Sequence, residues 1–202
     1  MLSQRIQQHF IDSADLKYQC AQMLAAPVEA AVNAVLACVT GGGKVLACGH
    51  GGSAAAAQYF AAGFVGRFER ERPELAALAL SADASVLTGL GQGFDPRAVF
   101  ARQVRALGSA GDVLLVLASA GSSDALVDAV AAAHERDMTV VAFTGARAGA
   151  LGGALKDTDV LVSVPHERLA RVQEVQLLAL HCLLDGVDAQ LLGDSPEPEN
   201  LA

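Results

Sequence analysis

Two short segments of the chain carry the residue types that hold an anion. The first runs Gly49-His50-Gly51-Gly52-Ser53, between the apolar run 44–48 and an alanine-rich stretch. Glycines there let backbone N–H groups come close to an anion. A helix opening behind them adds its free N–H groups and the positive end of its dipole. The second segment runs Ser119-Ala120-Gly121-Ser122-Ser123, again between an apolar run and a helical pattern. Hydroxyls plus helix N–H groups, with no lysine, suit a phosphate monoester held by neutral donors. The candidate ligand residues are therefore His50, Gly51, Gly52, Ser53, Ser119, Gly121, Ser122 and Ser123.

Each segment also has a plainer reading. Gly49 to Ala54 fits G-x-G-x-x-A, the dinucleotide fingerprint, and it equally fits a tight turn. A dinucleotide is disfavoured by the helical segments that precede the first strand, and because Leu80 is followed by Ser81 rather than an acid. Ser122 or Ser123 serves equally as an ordinary N-cap. His50 reads as a solvent-facing turn residue, and His181 as a buried, hydrogen-bonded histidine. The four cysteines, Cys20, Cys38, Cys48 and Cys182, contain no Cys-x-x-Cys pair and lie in apolar surroundings. That argues for reduced, buried thiols rather than a zinc cluster.

The elements that must position these loops follow from periodicity. Leu2, Ile6, Phe10, Leu16, Cys20 and Leu24 recur at helical spacing, and Pro27 can open a second helix that Gly41-Gly42-Gly43 stops. Short aliphatic runs at 44–48, 75–80, 113–117, 138–144 and 160–164 read as strands, each followed by a helical or glycine-bearing segment. A polar loop is expected over 81–95, and one long amphipathic helix over 167–192. Near-continuous aliphatic strands alternating with helices predict an α/β fold, a five-stranded parallel sheet covered on both faces, with two N-terminal helices before it. The reading is a single domain over 1–192 and a disordered tail over 193–202, which holds two prolines and three acids.

Composition narrows the partners. Lys and Arg total 14 against 22 Asp and Glu, a formal charge of −8. An acidic chain is a poor candidate for DNA or an anionic membrane, whose affinity comes from clustered Lys and Arg. Hydrophobic residues at 52% exclude a disordered chain, and aromatics at 4% require an aliphatic, alanine-rich core. Residues 1–10 lack an apolar signal-peptide core, and no apolar stretch reads as the ~20 residues that span a bilayer. The expectation is a cytoplasmic protein with no direct nucleic-acid or membrane partner.

The order of these segments resembles the sugar isomerase (SIS) domain family over about residues 1–192. The residues that carry the resemblance are Cys48-Gly49-His50-Gly51-Gly52-Ser53, Gly111-Asp112-Val113-Leu114-Leu115, the serine loop, Thr144-Gly145, and Arg171-Val172-Gln173-Glu174. The chain looks closest to the branch shared by phosphoheptose isomerases and the DnaA initiator-associating protein DiaA. The resemblance implies a three-layer SIS fold and a homotetramer with phosphosugar pockets at subunit interfaces. It also implies Ser53, Ser119 and Ser123 as phosphate or sugar ligands, with Ala120 where the isomerases carry another serine.

Aldose–ketose isomerisation passes through an enediol and needs a base and an acid. The isomerases resemble one another in supplying a His and a Glu from the helix after the first loop and a Gln and a His from the last helix. In several members these four bind zinc. Matched by motif, the first His falls on Tyr59 and the Glu on Gly63, while Gln173 and His181 keep their types. Ala170 stands for an expected Asp, and Gln92-Gly93 for Asn-Asp. No cofactor and no metal are expected, zinc entering only under the isomerase alternative, in which Gln173 and His181 are catalytic. Segments 53–62, 67–73 and 103–108 look like the replication-associated branch. The expected function is therefore non-catalytic: a phosphosugar-binding protein that promotes DnaA-dependent initiation through protein contacts. The alternative is sedoheptulose 7-phosphate isomerase.

Overall fold

A computed structural model describes residues 1–91, 95–119, 121 and 123–193. Ser122, Ala120, the pair Gln92-Gly93 and the tail from 194 to 202 lie outside the described residues. Helices α1 (Leu2–Met23) and α2 (Ala25–Thr40) come first. Pro27 sits in the first turn of α2, where a missing N–H costs nothing. Then follow β1 (Val45–Gly49), α3 (Gly52–Val65), β2 (Ala77–Ala79), α4 (Ala84–Gly91), α5 (Ala98–Leu107), β3 (Val113–Ala118), α6 (Asp124–Glu135), β4 (Thr139–Thr144), α7 (Gly149–Ala154), β5 (Val160–Ser163) and α8 (Leu169–Leu192).

The five strands form one parallel sheet in the order β2-β1-β3-β4-β5. Alternate strand residues serve opposite faces, as the pleat requires. Val45, Ala47, Leu115 and Leu117 pack with α1, α2, α3 and α8, whereas Leu46, Cys48, Leu114 and Val116 pack with α5, α6 and α7. The expected three layers are thus present. The sheet order reverses direction at β1: the chain leaves β1 for β2 on one side and returns as β3 on the other. Ligands in such sheets bind beyond the carboxyl ends of the strands at that switch point, where the β1 and β3 loops meet.

Two expectations need correction. The segment 81–95 is not all loop, because α4 occupies Ala84–Gly91 and Asp83 accepts the N–H groups of Ser85 and Val86 at its start. Cys20, Cys38 and Cys48 are buried, but Cys182 is exposed. Helix α8 has the length and composition to cross a membrane, with a mean hydropathy of 1.3. Its apolar side is instead the middle of the core: Val172, Leu180, Leu183, Leu184 and Val187 are fully buried, each contributing about 1.5–3 kcal/mol of burial.

Candidate functional site: a serine cradle at the switch point

Gly51 is the N-cap of α3 at φ 55°, a backbone conformation that favours glycine. It turns β1 into α3 so that Ser53 stands at the helix N-terminus, 5% exposed. From the neighbouring strand, Ser119 follows β3 directly and is 6% exposed. Their hydroxyl oxygens lie 2.8 Å apart. Ser119 also donates to Gln176 Oε1 of α8 at 2.6 Å. Gln173, one turn earlier on α8, lays its amide against Gly52. These residues wall a cavity of about 300 Å³ that continues past Ala55, Ala56 and Tyr59.

The second edge of the site is His50. Its Nε2 lies 3.1 Å from Ser123 Oγ, and its ring packs on Phe100 with centroids 5.0 Å apart. Ser123 caps α6, accepting the Leu126 N–H. The capping and ligand readings of Ser123 therefore coexist in one hydroxyl. Partial burial of the His50 ring lowers its pKa below the ordinary imidazole value, so the ring is neutral at pH 7. Gly121 holds φ 95° in the serine loop and borders a smaller cavity of about 220 Å³, which Ser119, Arg147 and His166 also line. Arg147 is paired with Glu167 there. Among the described residues the donors nearest the cradle are thus hydroxyls, amides and the N-termini of α3 and α6.

The structure brings together Gly52, Ser53, Ser119 and Gln173 as expected, and His50 with Ser123 beside them. It places His181 elsewhere, half-buried between the rings of Tyr59 and Phe68 at centroid distances of 5.5 and 5.6 Å. Two features escape sequence reasoning. Gln176 is buried at 3% exposure and holds Ser119. Its only sequence signal is a polar residue on the apolar face of a helix, three positions beyond Gln173. The Arg72 side chain is likewise buried, with Nε 2.6 Å from Asp188 Oδ1. Arg and Glu alternate over 67–72, a pattern that would suit a solvated helix end; Arg67 and Glu71 do form an exposed pair, but Arg72 turns inward.

The residues present do not fit the zinc that some family members hold. Tyr59 and Gly63 supply neither the imidazole nor the carboxylate. A Cβ on Gly63 would already stand 3.2 Å from Leu184 Cδ1, so core side chain fills the place of an acid. Among the described residues no group of three or more His, Cys, Asp or Glu is placed to bind a metal.

A family model for the SIS domain matches residues 8–145. The chain belongs to the SIS domain family. It is 61% identical to the phosphoheptose isomerase of Methylibium petroleiphilum over 194 residues, 96% of this chain and 97% of that protein. It is 49% identical to the phosphoheptose isomerase of Dechloromonas aromatica, over 94% of this chain and 96% of that one. Among solved structures, phosphoheptose isomerase GmhA from Neisseria gonorrhoeae superposes with a TM-score of 0.89 at 46% identity, covering 94% of this chain and 100% of that one. A phosphoheptose isomerase from Francisella tularensis gives 0.87 at 34% identity, over 93% and 98%.

These relatives overturn the non-catalytic expectation and the leaning away from an enzyme. That expectation rested on the absence of any Asp or Glu from Ala54 to Phe68. The absence stands, but likeness over nearly the whole chain runs to isomerases, and the DiaA-type role in replication with DnaA as partner finds no support among these relatives.

Proposed function

We propose that the protein is a cytosolic phosphoheptose isomerase, interconverting sedoheptulose 7-phosphate and its aldose isomer. The observation that carries this reading is the Ser53–Ser119 pair at the switch point of a chain 61% identical to a phosphoheptose isomerase. The cradle takes the phosphate: α3 and α6 aim their N-termini at it, Ser53 and Ser123 supply hydroxyls, and Ser119 stands behind Ser53. Gly51, Gly52 and Gly121 let the backbone close on the anion, and Gln173 donates to the sugar.

The reaction moves a proton between adjacent carbons through an enediol with no net change in oxidation state, so its proton carriers are a base for the carbon-bound proton and an acid for the carbonyl oxygen. With Gly63 and Tyr59 at the family positions, those carriers are not the family's Glu–His pair. Among the described residues, the candidate carriers beside the Ser53–Ser119 pair are His50, whose pKa partial burial lowers, and Tyr59 on the cavity wall. The His181 ring packs against Tyr59 at a tilt, with centroids 5.5 Å apart. The working unit is a homotetramer, supported by the exposed Leu2, Ile6 and Phe10 of α1 and Leu177 and Leu178 of α8.

The test is direct. Purified protein is incubated with sedoheptulose 7-phosphate, without added metal, and heptose 7-phosphate is followed by chromatography. Turnover that falls at least about tenfold in His50→Ala or Tyr59→Phe is expected. Absence of turnover at any protein concentration overturns the isomerase reading.

A further inference from the structure

The Ser119 hydroxyl donates to Gln176 Oε1, and a hydroxyl has one proton to give. Ser119 lies within hydrogen-bond reach of Ser53, so in this arrangement Ser53 spends its own proton on Ser119. Both protons thus run inward, Ser53 to Ser119 to Gln176, and neither remains for an anion. At the inner end, Gln176 Nε2 is buried without a hydrogen-bond partner. Unmet N–H donors in a buried wall are costly. The two ends of a carboxamide have nearly the same shape, so a half-turn of the Gln176 amide leaves the packing unchanged.

We propose that the Gln176 carboxamide sets the direction of hydrogen bonding in the phosphosugar cradle. Turned by half a revolution, Nε2 donates to Ser119, Ser119 donates to Ser53, and the Ser53 hydroxyl proton is free for a phosphate oxygen. Hydroxyls and amide rotate, and no covalent bond changes. Gln176 is then a positioning residue that acts through the two serines, and ligand entry at the N-terminus of α3 is coupled to a side chain of α8. This inference rests on the phosphosugar reading above.

The test compares wild type with Gln176→Glu, Gln176→His and Gln176→Leu. Calorimetry reads the binding of inorganic phosphate and of sedoheptulose 7-phosphate, and thermal unfolding reports the fold. A carboxylate only accepts, so Gln176→Glu locks the inward arrangement, with an expected affinity loss of at least about tenfold at high pH. Gln176→His restores a donor and binds within about threefold of wild type. The Gln176→Glu protein recovers toward wild type as pH falls and its carboxyl gains a proton to donate, a signature that a packing defect does not give. Equal binding by wild type and Gln176→Glu overturns the proposal while leaving the phosphosugar reading intact. Equal losses in the Glu and Leu variants, with no recovery at low pH, overturn it too. If wild type binds neither compound, the phosphosugar reading fails and this inference falls with it.

Discussion

A methyl group on Gly52 would stand 2.5 Å from Gln173 Nε2, so the amide of the last helix rests directly on the first turn of α3. That contact ties a residue late in the chain to the anion loop. Gly52→Ala keeps an ordinary helical backbone, and alanine is the better helix former. The conflict falls on the far end of a flexible side chain, so Gln173 moves and the fold stays. The expected outcome is an unfolding temperature no lower than wild type, with phosphosugar affinity reduced about tenfold. Unchanged affinity by calorimetry would remove Gln173 from the ligand site.

The buried Arg72–Asp188 pair makes a second prediction. Both side chains are at most 2% exposed, and Arg72 also donates to the carbonyls of Phe64 and Gly63 at the end of α3. Asp188 Oδ2 has no further hydrogen bond. Removing one partner leaves an uncompensated buried charge, at a cost of about 3–5 kcal/mol. For a domain of this size that lowers the unfolding temperature by roughly 6–20 °C. Arg72→Leu and Asp188→Leu should each show the drop, and the double variant should lose less than their sum. Strict additivity in calorimetric melts would show that the two groups are not coupled.

Much of this was legible beforehand, for physical reasons. Continuous aliphatic runs such as Val113–Leu117 mark strands covered on both faces, and glycine and serine clusters at their ends mark the switch point. Helix α4 was not legible, because Ala84 to Gly91 carries two glycines and two hydroxyl residues, a loop composition. Arg72 and Gln176 were missed because sequence assigns polar residues to the surface, and only tertiary contacts show which are buried with a partner. The enzymatic reading was missed for a different reason. A few substituted positions, Tyr59 and Gly63 foremost, weighed more in the residue-level argument than likeness spread over the whole chain.

His50 sets a pH dependence whose sign is fixed. Its pKa is lowered by burial in the folded protein, while the unfolded chain takes up that proton near pH 6.5. Just below that pH the unfolded state binds more protons, so stability rises with pH there. The contribution is fully present above about pH 6.5 and is lost as pH falls below it. The gap in unfolding temperature between wild type and His50→Ala is expected to narrow from pH 7 to pH 5. A gap independent of pH would mean that the ring gains nothing from being neutral.

Metal removal gives the last prediction. Zinc needs three or four strong ligands, and of the family positions only Gln173 and His181 retain donors suited to it. Gln173 offers a neutral amide, a weak ligand, and its Nε2 lies against Gly52. His181 packs between the Tyr59 and Phe68 rings. Rebuilding the set by Gly63→Glu meets Leu184, whose Cδ1 would lie 3.2 Å from the new Cβ. Protein dialysed without chelator should therefore hold well under one zinc per chain by elemental analysis. Chelator should leave both turnover and unfolding temperature unchanged, because no folding free energy is stored in a bound ion. Combining Tyr59→His, Gly63→Glu and Leu184→Ala restores two ligands and the space for them, and should raise zinc content toward one per chain. Stoichiometric zinc in the wild-type protein would show that ligands outside these four positions complete the site, and the metal-free account of proton transfer would be wrong.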